Sequence, residues 1–317
     1  MFSVVIPLFN KAPYIEQCLT SVLGQTLANL EVLVVNDVST DDGPARVRKF
    51  TDARLTLIDQ PNAGVSAARN RGAQEARYDY IVFLDADDWL HPHFLSSLRS
   101  LVVQCPDADL YGTNYYYVKH GRQRVEPKGL PETFSAGYID YISLYGSRFC
   151  VLINCSFVAV RRTAFWRAGG FRPRLRFGED FDLWIRLALA GKVAYCNQPL
   201  AYSNQDAAPA NRAIGGHRLY APEAHFIFNL AYLRPYERQS PNLKWLLDGL
   251  RVRNGLPYYL SGRYPDAVRS LLAEVDFSRQ PRYFRLLYQT PVPLARIYFG
   301  ARRLGAGLKR TLVAFKL

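Results

Sequence analysis

Three carboxylates fall within four positions at Asp85, Asp87 and Asp88, directly after the apolar run Tyr80-Ile81-Val82-Phe83-Leu84. Such a run reads as a short strand buried on both faces. Carboxylates repel one another and are costly to bury uncompensated, so a cluster at the end of a buried strand calls for a cation. Alternation sets Asp85 and Asp87 on one side of the strand line, and the small Ala86 between them leaves room. A few oxygen-only ligands suit Mg²⁺ or Mn²⁺ held jointly with a substrate phosphate. The same acids would equally serve to cap a helix starting near Trp89 and Pro92. On this stretch alone both readings stand.

A second acidic pair, Glu179-Asp180, opens the segment Gly178–Leu187, where Leu183, Trp184 and Leu187 share an apolar face. By itself this is a helix N-terminus with acids in its first turn.

The elements that must position these groups alternate along the chain. Val4-Val5-Ile6 is a buried strand stopped by Pro7, and Asn10 is a plausible N-cap for a helix bearing Tyr14, Ile15, Cys18, Leu19, Val22 and Leu23. Glu31–Val35 is a second strand ending in the polar loop Asn36–Gly43; a helix near Ala45–Phe50 leads to a third, Leu55–Ile58. Asn62–Gly72 is a loop entering a small-residue helix, and the acidic strand follows. A helix at Phe94–Gln104 precedes further strands at Ala108–Tyr117 and Val151–Val160. This alternation predicts an α/β fold with a mostly parallel central sheet flanked by helices. Three polar loops follow successive strand C-termini, the edge where such sheets bind ligands. Neither a G-x-G-x-x-G nor a G-x-x-x-x-G-K-[ST] motif occurs, so dinucleotide and P-loop chemistry lose their main support.

The 317 residues carry 49% hydrophobic side chains, enough for a sizeable core rather than disorder. The five scattered cysteines show no metal spacing and fit a reducing compartment better than a disulfide scaffold. The N-terminus lacks the pattern of a signal peptide, and no run reaches the ~18 apolar residues of a membrane span; a cytoplasmic location is expected. The net charge of +13 is uneven: from Tyr220 onward there are 16 Lys and Arg against 6 Asp and Glu, before it 24 against 21. A uniformly basic surface for nucleic acid is not the pattern seen.

Taken in order, Ser3–Asn10, Asn36–Gly43, Asn62–Gly72, Asp85–Asp88 and Gly178–Leu187 resemble the motifs of family 2 glycosyltransferases at their usual intervals, over about residues 2 to 203. The resemblance implies the nucleotide-sugar-binding GT-A fold in residues 1–219; beyond it the family pattern is lost, and the charge and periodicity of 220–317 read as a helical, basic extension. It also implies roles. Pro7 and Phe9 lie where the first loop packs on the nucleotide base, with Asn10 beside them. Asp37 corresponds to the acceptor for a uracil N–H, and Arg69 to a cation near the nucleotide or its phosphates. Asp85, with Ala86, matches the ribose and metal shell; Asp87 matches the direct ligand of a Mn²⁺ or Mg²⁺ ion bridging the diphosphate. Asp88 stays open between that site and a helix cap. Asp180 resembles the base that takes the acceptor proton in an inverting displacement, and Glu179 orients toward the acceptor or supports the loop. Many relatives complete the metal site with a His shortly after this helix; here none occurs before His217. Asp206 is a candidate substitute, and Arg212 a candidate clamp on the diphosphate.

The expectation is therefore an inverting enzyme moving a sugar, most simply from a UDP-sugar, to a hydroxyl of a glycan or lipid-linked acceptor in cell-surface polysaccharide synthesis. Beyond Tyr220 the pattern predicts helices at Glu223–Arg234, Asn242–Leu256 and Ala267–Val275. From Leu294 an apolar arc (Leu294, Ile297, Tyr298, Ala301, Leu304, Leu308, Leu312, Phe315) opposes a basic face. That is the pattern of a helix on the cytoplasmic face of an anionic membrane, or of a helix docked on the protein with a solvated basic face. Two other functions compete: a nucleotidyltransferase, which would want a Gly-rich basic phosphate loop where Leu8-Phe9-Asn10-Lys11 stands, and a basic membrane or nucleic-acid module, which would leave five motifs idle.

Overall fold

Runs of β-branched residues in the first third become strands buried on both faces. In the computed structural model, which describes residues 1–125, 129–149, 151–207 and 219–298, β1 (Phe2–Leu8) lies between β2 (Leu30–Asn36) and β4 (Tyr80–Phe83), with β3 (Leu55–Asp59) outside β2. All four run parallel. The connections hold α1 (Ala12–Leu23), α2 (Gly43–Val47) and α3 (Val65–Glu75). The Ile15, Cys18, Leu19 and Val22 face of α1 packs into one core with Val4, Ile6, Val32 and Val34, as its 3–4 spacing requires.

The sheet continues as β5 (Trp89–Leu90), β6 (Ala108–Lys119), β7 (Arg122–Val125), β8 (Ala136–Ile139), β9 (Val158–Arg161) and β10 (Lys192–Asn204). Between these strands lie α4 (Phe94–Gln104), α5 (Tyr141–Arg148), α6 (Arg162–Arg167) and α7 (Glu179–Ala190). The order is β3-β2-β1-β4-β9-β6-β10-β5. Here the sheet is mixed: β9 sits antiparallel to both β4 and β6, while β6 and β10 are parallel. The strand expected at Val151–Val160 shrinks to β9. Asn154 accepts the Ser156 N–H at 3.0 Å and turns Cys155–Phe157 into a 3₁₀ turn before extension resumes.

One feature of β1 opens the site. Pairing of β1 with β4 ends at Val5 and Phe83, where Leu84 N–H still reaches Val5 O. Pro7, two residues on, aims at the same side and has no N–H to offer. With no ladder bond to make there, the chain after Leu84 turns away and leaves a gap at the strand ends, and the acidic turn fills it.

The backbone forms two compact units, Met1–Phe226 and Ile227–Leu317. The second is helical: α8 (Arg234–Gln239), α9 (Pro241–Ser261), α10 (Pro265–Ala273) and α11 (Arg282–Gln289). Arg251 is fully buried within it, its terminal nitrogens paired with Asp248 at 3.0 Å, Glu237 at 2.5 Å and Glu274 at 2.8 Å. The helix expected at Glu223–Arg234 is instead a series of 3₁₀ turns, with Pro222 at the start of the first. Leu294, Ile297 and Tyr298 are exposed; the rest of the amphipathic stretch lies outside the described residues. No described helix is long and apolar enough to cross a membrane. Cys18, Cys105, Cys155 and Cys196 are buried and unpaired.

Candidate active site

The strand ends bring together residues that lie far apart in sequence, and one buried arginine does most of the joining. Arg69 on α3 donates from Nη2 to Asp85 Oδ1 at 2.7 Å and from Nη1 to Glu179 Oε1 at 2.9 Å. Its guanidinium also sits 5.2 Å from the Phe171 ring centroid. A planar fork with two donating edges suits this bridging task better than an ammonium would. The acid turn after β4 and the first turn of α7 are thereby fixed to one another. Arg69 serves here as an internal bridge with both terminal nitrogens engaged by protein carboxylates.

The three aspartates of the turn fare differently. Burial raises the Asp85 carboxyl, but the Arg69 guanidinium outweighs it and holds the group below its ordinary range. Asp87 is raised by burial and by the charge of Asp85, with Lys11 opposing both. Its Oδ2 accepts from Lys11 Nζ. Asp88 is buried and raised well above the carboxylate range, first by burial and then by Asp87 and Asp85. Asp88 caps no helix: α4 starts at Phe94, and Asp88 Oδ1 accepts the Asn204 N–H at 2.8 Å, tying the turn to the end of β10. Ala86 is buried between the acids.

Asp180 stands in the first turn of α7, half-buried, with Oδ1 accepting its neighbour's Phe181 N–H at 2.8 Å. Burial, and then the charge of Glu179, push its carboxyl up to about 7. The turn exists because Gly178 takes φ +74° at the helix start, and a Cβ there would lie 2.0 Å from the Phe226 ring. Only glycine satisfies both demands. Asp182, two residues further in the same turn, is buried and held by Arg172 at 2.9 Å and Arg186 at 2.6 Å. It anchors the helix that carries Asp180.

The nucleotide-side residues form a second network. Pro7 is half-buried and Phe9 is 47% exposed, open to stack on a planar ring. Asn10 caps no helix: it adopts φ 52°, and its Oδ1 takes the Thr40 N–H at 2.8 Å. The start of α1 is capped from another loop, by Asp41 Oδ2 on the Ala12 N–H at 2.8 Å. Asp37 is buried and accepts from Gln60 Nε2 (2.7 Å), Ala63 N–H (2.8 Å) and Gly64 N–H (2.9 Å). Of roughly four acceptor positions on a carboxylate, three are thus spent on donors between Gln60 and Gly64, leaving one for an external N–H. Arg212 lies outside the described residues, as does His217. Asp206 accepts the His120 N–H at 2.7 Å, beside the β6–β7 turn. His225, its ring tilted 33° against Phe177 at 4.6 Å, is pushed down to about 4 by burial.

The residues fit a divalent ion of one kind. Asp85 and Asp87 offer hard oxygen ligands, and among the described residues the ion-pair partner of Asp87 is Lys11. Among the described residues no group of three or more His, Cys, Asp or Glu is arranged to hold a metal. That combination suits an ion completed by substrate phosphates and water. Lys11, Ser156 (whose Oγ accepts the Asp85 N–H at 3.1 Å) and Asn204 were missed by the sequence reading. They act through contacts spanning 71 to 116 positions, which no local pattern carries.

A mixed sheet flanked by helices, with carboxylates at the β4 end facing an acidic helix start, is the arrangement of the GT-A fold. Residues 3–169 match Glycosyl transferase family 2, and the chain belongs to that family. Glycosyltransferase GlyA of Streptococcus pneumoniae serotype 4 is 31% identical over 206 residues, 62% of this chain and 30% of that protein. Chondroitin synthase of Pasteurella multocida is 28% identical over 201 residues, 62% of this chain and 20% of that one. The chain spans less than two fifths of the length of the first curated relatives it matches. Among solved structures, residues 1–349 of S. aureus TarS with UDP-GlcNAc superpose with a TM-score of 0.59 at 18% identity, covering 88% of this chain and 91% of that one. The mannosyltransferase PcManGT of Pyrobaculum calidifontis, in complex with GDP-Man and Mn²⁺, gives 0.52 at 20% identity, covering 86% and 73%. These likenesses show the shared fold.

Proposed function

We propose that the chain is an inverting glycosyltransferase that takes a sugar from a nucleoside diphosphate sugar, UDP-linked in the first instance. It sets that sugar on a hydroxyl of a glycan or lipid-linked acceptor during cell-surface polysaccharide synthesis. The observation that carries this reading is the Asp85–Arg69–Glu179 bridge, which ties the donor-side acids to the turn holding Asp180. A carboxyl raised to about 7 is matched to taking a proton near neutral pH. In the step envisaged, the acceptor oxygen bonds to the anomeric carbon from the side opposite the diphosphate. The anomeric C–O bond breaks with its electron pair leaving on the nucleoside diphosphate, and the hydroxyl proton passes to Asp180. A divalent ion held by Asp87 and Asp85 would supply positive charge beside the departing diphosphate. The complexes of TarS with UDP-GlcNAc and of PcManGT with GDP-Man support a nucleotide-sugar donor. The names chondroitin and hyaluronan synthase among the relatives support polysaccharide as the product class.

A panel of UDP-, GDP- and dTDP-sugars scored by thermal shift, with and without Mn²⁺, tests the donor. One UDP-sugar should raise Tm more in the presence of the ion; silence across the panel removes the reading.

The proposal includes a peripheral station on the cytoplasmic face of the membrane. After Asp276 the chain holds nine Lys and Arg and no acid, and Leu294, Ile297 and Tyr298 lie exposed beside Arg296. Each basic residue near an anionic bilayer contributes ~1 kcal/mol. Intact protein should float with anionic vesicles at low salt and be released at high salt, while a chain lacking residues 291–317 should stay behind and still hydrolyse donor. Failure of the intact chain to float at low salt would leave the docked-helix alternative.

A further inference from the structure

A cavity of about 750 Å³ lies beside the β6–β7 hairpin, lined by Tyr117, Lys119, His120, Arg122, Arg124 and Gln205. Its volume is in the range of small-molecule and oligosaccharide sites. The register explains why its charge is so concentrated. Tyr117 faces Arg124 and Lys119 faces Arg122 across the ladder, so these four side chains share one face. Val118 on the other face is buried. The turn between the strands is tight, with φ +49° at His120 and +71° at Gly121, the arrangement of a two-residue hairpin that fixes strand register. The Arg124 guanidinium rests 5.9 Å from the Tyr117 ring centroid.

Like charges directly opposed across a ladder are destabilising, and Lys119 opposite Arg122 is such a pair. Among the described residues neither they nor Arg124 has a carboxylate at ion-pairing distance. Among the described residues, Asp206 beside the cavity is engaged with His120 at 3.6 Å. An excess of cations held on a rigid hairpin around an open cavity awaits anions from outside.

The cavity adjoins the donor-side acids through consecutive residues. Asn204 donates its N–H to Asp88, and Gln205, which lines the cavity, donates its own to Val118 O at 2.7 Å. A ring stack fills the interval: Trp89, directly after Asp88, lies 5.4 Å from Tyr202, which lies 5.2 Å from Tyr116.

We propose that this groove holds an anionic stretch of the acceptor glycan, sugar units bearing phosphodiester or carboxylate groups, so that the enzyme extends a charged polymer in preference to a neutral one. The assignment rests on the transferase reading above and names its acceptor class.

The test compares binding of three fluorescent oligosaccharides of equal length (phosphodiester-linked, hexuronate-containing and neutral) to the full chain and to its R122A/R124A variant, alongside Mn²⁺-dependent UDP binding. At least one charged oligosaccharide should bind 10-fold or more tighter than the neutral one, with affinity falling as salt rises. The variant should lose at least that margin with UDP affinity unchanged, and R122K/R124K should restore most of it. Which charged probe binds separates phosphate from carboxylate. Equal binding of charged and neutral probes, or an unaltered double alanine variant, overturns the groove assignment while leaving UDP binding, and the transferase reading, intact. Loss of anionic-vesicle binding in the variant without loss of glycan binding overturns it in favour of a membrane surface. Absence of UDP binding in the parent chain would remove both.

Discussion

Replacing Asp180 by Asn lowers sugar transfer on the order of 10²–10⁴-fold while donor affinity stays nearly unchanged. The amide keeps the shape of the first turn of α7 and removes only the proton acceptor. Two further readouts separate a base from a helix cap. Because burial and Glu179 raise the Asp180 carboxyl to about 7, the group is protonated and idle below that pH. The parent rate should therefore climb as pH rises toward and through 7, and the residual rate of the variant should lose that limb. Stability moves in the opposite sense. A folded-state value above the ordinary carboxylate range means the native protein binds this proton more tightly than the unfolded chain does. The parent therefore loses stability as pH rises from about 4 through 7. Asn cannot ionise, so the Tm difference should shift in favour of the variant between pH 5 and pH 8. A variant that turns over within a few-fold of the parent would show Asp180 to be a structural acid with the base elsewhere.

The parts of this site that were legible from sequence are those that chemistry fixes locally. The apolar run Tyr80–Leu84 followed by Asp85 and Asp87 forces a buried strand ending in charge, and the acids of Gly178–Leu187 with their apolar face force a helix start. Order and spacing of the polar loops were enough to place them at one sheet edge. What escaped was the partner of each group. Asn10 followed by an amphipathic run looks like an N-cap, yet it takes φ 52° and bonds Thr40 while Asp41 caps α1 from 29 positions away. Arg69 looks like a cation for phosphate, yet it joins two carboxylates 94 positions apart. The insertion of β9 between β4 and β6 was hidden for a similar reason. Its four residues carry no sign of direction, and antiparallel pairing is settled by the whole path of the chain. Glu223–Arg234 has helical composition, yet between Pro222 and Pro235, each at the start of its own helical turn, the chain settles for single 3₁₀ turns.

Asp87→Ala should abolish the increment in UDP affinity that Mn²⁺ or Mg²⁺ confers, leaving the weaker metal-independent binding in place. Asp85 is committed to Arg69 and Asp88 to the Asn204 N–H, so Asp87 is the carboxylate of the turn whose counter-charge is a flexible side chain able to withdraw. That side chain is Lys11, and its ammonium occupies the oxygen an ion would take. The two cations compete, so removing the lysine should have the opposite effect. In Lys11→Met, with no donor present, Mn²⁺ alone should bind several-fold more tightly than in the parent, read by calorimetry or by the electron paramagnetic resonance of free Mn²⁺. Without the lysine the acidic turn also loses its neutraliser, and Tm in metal-free buffer should fall and recover on adding Mn²⁺. Combining both substitutions should return the Asp87→Ala result, since the lysine matters to the ion only through this carboxylate. Equal metal-dependent UDP affinity in Asp87→Ala and the parent would move the ion to Asp85 or to a residue outside the described chain. An unchanged Mn²⁺ affinity in Lys11→Met would show that the ion and the ammonium do not share Asp87.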